Sequence, residues 1–196
     1  MKSNLTASDL KWMYGTAWKE AKTEKLTSMA LAAGFRAIDT ANQRKHYYEE
    51  GVGNALHGAF NSNLNREDVF IQTKFTSVSG QDHRLPYDKK QNAKTQVLQS
   101  FESSLSHLQI DYIDSYIYHG PSVVEGMADH DFMVWQAMES LVKEGRVSYI
   151  GVSNVSLSQL QLLCRHCKIK PSFVQNRCFA SQAWDKGIRQ FCKQQH

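Results

Sequence analysis

The sequence predicts an α/β fold of the (β/α)8 barrel type, incomplete, with about six strand–helix units. Short apolar runs alternate with polar loops and amphipathic helices along the whole chain. Residues able to do chemistry recur where those runs end. Strict alternation requires a parallel sheet covered by helices. The doubly wound nucleotide folds place a glycine-rich turn after the first strand, and Gly15-Thr16-Ala17-Trp18 is not such a turn. The barrel is therefore favoured.

Residues 11–14 are the first strand candidate. A helix follows from Thr23, with Leu26, Met29, Ala30 and Ala33 on one face and Gly34 as its C-cap. Residues 35–38 read as a buried strand that stops at Asp39. Its helix starts near Tyr48 and runs to Phe60, with Glu49 and Glu50 in the first turn, where the macrodipole favours acids. Residues 69–74 form the third strand, β-branched and ending in Lys74; the next helix shows Val97, Phe101, Leu105 and Leu108. Residues 112–118 are the fourth strand, ending at His119, and Phe132, Trp135, Met138 and Val142 mark the inward face of the fourth helix. Residues 148–152 lead to Ser153 and Asn154, and Ser156 with Gln159 makes a capping box for the fifth helix. Residues 173–175 are the sixth strand, and Trp184, Ile188, Phe191 and Cys192 predict the inward face of the last helix.

At 196 residues the chain has room for a sizeable core, and no linker-like stretch divides it, so residues 1–196 read as one domain. A net charge of +4 spread over scattered lysines and arginines is no footprint for nucleic acid. No run has signal-peptide or membrane-spanning character, which predicts a cytoplasmic protein without membrane partners. Cys164 and Cys167 are spaced like metal ligands, but they continue the helical phase of Leu160 and Leu163, and no second ligand pair matches them. They are read as core residues, with no metal expected.

Asp39, Lys74, His119, Ser153, Asn154 and Gln175 all stand at strand ends. A parallel barrel gathers such ends on one rim, where barrel enzymes keep their chemistry. Polar side chains converging on one space cost desolvation unless they pair or bind something. The simpler reading makes Asp39 a turn cap and lets Tyr47 and Tyr48 pack a loop.

Several segments, in order, carry a family resemblance: Ala37-Ile38-Asp39-Thr40-Ala41, His46-Tyr47, Gln72-Thr73-Lys74, Asp111 to Asp114 through His119-Gly120-Pro121, Ile150 to Asn154, and Val174-Gln175. Together the chain resembles the aldo-keto reductases nearly end to end. That resemblance implies an NADP(H)-dependent reductase of small aldehyde or ketone carbonyls. Asp39, Tyr47, Lys74 and His119 would be its catalytic set. Tyr47 would donate the proton, its phenol pKa lowered by Lys74, and Asp39 would hold Lys74. His119 would bind the carbonyl oxygen. Thr16, Asp39, Ser153, Asn154 and Gln175 would contact the cofactor, and Trp18 with His119 would wall the substrate pocket. One departure concerns spacing: the family commonly has its tyrosine five residues after the aspartate, whereas here Asn42 to His46 lengthen the loop. Tyr47 is assigned as the acid, with Tyr48 the alternative. The second departure is that strands seven and eight of the family, with its nicotinamide-stacking aromatic and 2′-phosphate grip, have no counterpart before His196. The alternative expectation is thus a catalytically impaired truncated form acting as a binding or regulatory protein. Neither the particular carbonyl nor the oligomeric state is encoded in a readable motif.

Overall fold

The computed structural model describes residues 3–195. Its strands are β1 (Tyr14–Gly15), β2 (Ala37–Asp39), β3 (Phe70–Phe75), β4 (Ile113–Tyr118), β5 (Val147–Ser153) and β6 (Phe173–Gln175). They alternate with α1 (Thr23–Ala32), α2 (Glu49–Phe60), α3 (Ala93–Leu108), α4 (Asp129–Lys143), α5 (Leu157–His166) and α6 (Lys186–Gln195). All five pairings are parallel, in the order β1-β2-β3-β4-β5-β6, so the sheet is a curled half-barrel with helices packed outside.

The core lies between the sheet and helices α2 to α5. Phe101 of α3 meets Tyr116 edge to face, and Trp135 and Met138 of α4 are wholly buried, as the helical spacing predicts. β3 and β4 are buried at every position, which explains their near-continuous apolar runs. Gly34 caps α1 at φ +96°, a conformation that favours glycine. Gly151 in β5 has no room for a side chain, because a Cβ would stand 2.6 Å from the Phe173 carbonyl oxygen. That close approach brings β6 against β5.

Four sequence expectations are corrected. The first strand is Tyr14–Gly15 rather than residues 11–14, because this edge strand pairs only with Ile38 and Asp39 while Lys11 and Trp12 lie in solvent. The second extends through Asp39 itself. In α1 the buried face is Thr23, Thr27, Ala30 and Leu31, and Met29 is exposed; threonine methyls pack where the hydrophobicity pattern sees polar residues. Trp184 precedes α6 with φ +53° and is exposed, as is Cys192, and α6 buries none of its residues. Its Ile188 and Phe191 are only partly covered.

Cys164 and Cys167 are half-buried free thiols packed against the core, and burial pushes both thiols up, Cys167 to about 11. Among the described residues no helix is long and apolar enough to cross a membrane.

Candidate active site

Side chains alternate across a strand, so β3 sends one set toward the helices and the other toward the concave face. Thr73 faces outward, its hydroxyl 2.5 Å from Glu49 at the start of α2. Gln72 and Lys74 therefore share the inner face. Lys74 is 1% exposed, and a buried ammonium needs a partner. Its Nζ donates to Asp39 Oδ1 at 2.5 Å and to the Thr40 carbonyl at 2.7 Å. Burial drives the lysine pKa down, and Asp39 opposes that shift.

Asp39 is the hub of a polar ladder that crosses the inner face. The Ser115 hydroxyl donates to Gln72 Oε1 at 2.8 Å. Gln72 Nε2 donates to Asp39 Oδ1 at 2.8 Å and to Gln175 Oε1 at 3.2 Å. Gln175 Nε2 then donates to Asp39 Oδ2 at 3.2 Å. One carboxylate thus ties β2 to β3 and β6.

His119 follows β4 directly. Its backbone N–H donates to the Phe75 carbonyl, and its Nδ1 lies 2.7 Å from the Thr76 hydroxyl. Burial, with Lys74 nearby, pushes its pKa down to about 3, so the imidazole is neutral near pH 7. When Thr76 donates to Nδ1, the ring proton sits on Nε2, where it can hydrogen-bond an oxygen in the cleft. The Tyr47 ring meets the His119 ring edge to face at 5.9 Å, and Lys74 Nζ lies 5.2 Å from the Tyr47 ring centre.

The structure thus brings Asp39, Tyr47, Lys74 and His119 to one rim, and Tyr47, Lys74 and His119 line a cleft of about 480 Å³ there. Tyr48 stands at the start of α2, stacked under the Arg44 guanidinium at 4.5 Å, and is not among the lining residues. The expected lowering of the Tyr47 pKa is corrected. Burial, with Asp39 adding, holds this phenol well above the usual value. The Lys74 charge is committed to Asp39 and Thr40, and the phenol feels the carboxylate.

Ser153, Asn154 and Gln175 line the same cleft with Asn176 and Arg177. The Ser153 hydroxyl donates to the Gln175 carbonyl at 2.5 Å, and Asn154 Nδ2 donates to the His119 carbonyl at 2.7 Å. Asn154 takes φ +52°, which its short amide tolerates. Trp18 stands at the mouth, 67% exposed. Thr16 lies beneath the floor, fully buried, and its hydroxyl and N–H both donate to the Asp39 carbonyl. It braces β2 and is not among the lining residues.

Sequence reasoning missed Gln72, Ser115, Thr76 and Gln43. Gln72 was within reach, because it stands two residues before Lys74 and must share its face. Ser115 needed the strand register, in which it lies beside Gln72. Thr76 and Gln43 belong to loops whose contacts no periodicity announces.

The aldo/keto reductase family model matches residues 8–196. Among curated relatives, a methylglyoxal reductase of Escherichia coli is 36% identical over 156 residues, covering 79% of this chain and 49% of that protein. A glyoxal reductase of Bacillus subtilis is 36% identical over 166 residues, covering 85% and 52%. The chain thus spans about half the length of these relatives. A crystal structure of a Bombyx mori aldo-keto reductase in complex with NADP superposes with a TM-score of 0.66 at 28% identity, over 84% of this chain and 53% of that one.

Proposed function

From the premise that this chain belongs to the aldo/keto reductase family, we propose that it carries the carbonyl-reducing site of an NADP(H)-dependent oxidoreductase, in one barrel-type domain. The observation that supports this best is the convergence of Tyr47 and His119 above the buried Lys74–Asp39 pair.

A cofactor headgroup with a carboxamide needs both donors and acceptors. The chemistry of Ser153, Asn154 and Gln175 fits it: Asn154 spends its amide hydrogens on His119 and Ser153, which leaves its Oδ1 as an acceptor. These residues would hold NADP(H), which supplies the hydride when bound. The chain's own residues handle the oxygen. His119 Nε2 donates a hydrogen bond to the carbonyl oxygen, orienting it and stabilising charge as it develops there. Tyr47, a phenol and so protonated at neutral pH, holds the proton that passes to that oxygen as the C–O bond becomes a single bond. Asp39 holds Lys74 beside the Tyr47 ring. Trp18 shields the mouth. The printed names of the relatives support small carbonyls as the substrate class.

The test measures NADPH binding by fluorescence quenching, and NADPH oxidation with a panel of small aldehydes and ketones. Tyr47→Phe removes only the phenolic hydroxyl; it should retain cofactor affinity and lose turnover by about 100-fold or more. Tyr48→Phe should stay within about twofold of the parent. Full turnover in Tyr47→Phe would transfer the acid role to Tyr48 and overturn the assignment. NADPH binding without turnover in the parent chain would favour the binding or regulatory reading.

A further inference from the structure

The loop that departs from the family spacing, Asn42 to His46, is built into the mouth of the cleft. Gln43 is 7% exposed, and its backbone carbonyl accepts from the N–H groups of both His46 and Tyr47. Its side chain reaches across to the loop after β3, where Nε2 donates to the Gly80 carbonyl at 2.6 Å. On the other side, the Trp18 N–H donates to the His46 carbonyl at 2.7 Å, and the Trp18 and His46 rings lie 5.3 Å apart. The loop therefore bridges the segments after β1 and β3, and it presents His46 beside Tyr47.

These contacts determine which ring nitrogen of His46 carries the proton. The Gly80 carbonyl can only accept, so the NH₂ end of Gln43 must face it. Gln43 Oε1 is then the atom 3.0 Å from His46 Nδ1. A carboxamide oxygen also only accepts, so Nδ1 must be the N–H. In the neutral ring Nε2 is left as a bare acceptor. It is the polar atom the ring can offer the cleft, which His46 lines with Tyr47, Lys74 and His119.

We propose that His46, held by Gln43, is a specificity-determining residue whose Nε2 accepts a hydrogen bond from a hydroxyl on the carbon next to the reacting carbonyl. The substrate class it selects is small hydroxylated carbonyls, over alkyl carbonyls of the same size. The inference rests on the reductase reading above and deepens it.

Hydroxyacetone and 2-butanone are near-isosteres that differ in hydroxyl against methyl, so the ratio of their kcat/KM values isolates this contact. The parent chain should favour hydroxyacetone. His46→Phe should lower that ratio roughly 3- to 10-fold, the worth of about one hydrogen bond; an unchanged ratio would overturn the proposal. Nitrogen-15 NMR of the histidine rings in the cofactor-free chain gives a readout independent of turnover. His46 should show the Nδ1–H tautomer, its Nε2 resonance should shift with hydroxyacetone and not with 2-butanone, and Gln43→Leu should abolish the tautomer preference. If neither ketone is reduced while other carbonyls of the panel are, the proposal is overturned; if no carbonyl of the panel is reduced, the reductase reading fails and the NMR result alone decides this one. An Nε2–H ring, or equal shifts with both ketones, sinks the inference whatever the kinetics.

Discussion

Replacing Lys74 by methionine keeps the side chain's length and apolar stem and deletes its charge. Lys74 and Asp39 are 1% and 6% exposed, so the variant leaves a carboxylate in the interior without its counter-ion. Breaking a buried pair from one side costs about 3–5 kcal/mol. Asp39 keeps two amide donors, Gln72 at 2.8 Å and Gln175 at 3.2 Å, and hydrogen bonds to a charged group contribute about 1.5–3 kcal/mol each. The loss should therefore fall at the low end, about 3 kcal/mol. For a chain of this size each kcal/mol moves the midpoint by about 2–4 °C, which gives a fall in Tm of roughly 6–12 °C. The control is Lys74→Met combined with Asp39→Asn, which removes the orphaned charge but leaves a carbonyl oxygen for one of the two amides, Gln72 or Gln175. It should recover about 2 kcal/mol relative to Lys74→Met alone, a coupling that a double-mutant cycle by urea denaturation measures. If Lys74→Met is no less stable than the double variant, the buried charge pair is not what organises this end of the sheet.

The other side of β3 carries a pH-dependent contact. Hydrogen bonding to the buried Glu49 raises the His107 pKa above its ordinary 6.5, so the pair's stabilisation is complete below that value and is lost as pH rises through the raised one. The stability gap between the parent and His107→Gln should be wider at about pH 5.5 than at about pH 8.5 by urea denaturation, and a gap that widens upward in pH contradicts the reasoning. Gly151→Ala places a methyl 2.6 Å from the Phe173 carbonyl oxygen and 2.5 Å from Ile117 Cδ1; it should cost about 1–3 kcal/mol in thermal unfolding and weaken NADPH binding by shifting Gln175. Gly58→Ala is the matched control, with open space around the new methyl, and should stabilise α2 by about 0.5–1 kcal/mol.

What could be read from the sequence, and what could not, follows from how far apart the interacting groups lie along the chain. The buried strands were legible because each is a run of apolar or β-branched residues with a polar residue at its end, a pattern local to a few positions. The parallel topology then placed Asp39, Lys74, His119 and Gln175 on one rim without any knowledge of contacts. Phase errors arose where packing used atoms that a hydrophobicity pattern does not credit, as with the threonine methyls that seat α1 while Met29 stays in solvent. The electrostatics were hidden for a different reason. Residue types suggested an ammonium beside a phenol and hence a lowered pKa, but the sign depends on desolvation and on which partner claims the ammonium. Both are properties of three-dimensional distance, and both run against the local expectation at Tyr47. The lengthened loop makes the same point from the sequence side. Asn42 to His46 stood out only as a misfit in spacing, and nothing in those five residues foretells that Gln43 will find the carbonyl of Gly80. Once it does, the acceptor-only chemistry of that carbonyl propagates through one amide to one ring, and an irregular spacing becomes a defined hydrogen-bond acceptor at the mouth of the site.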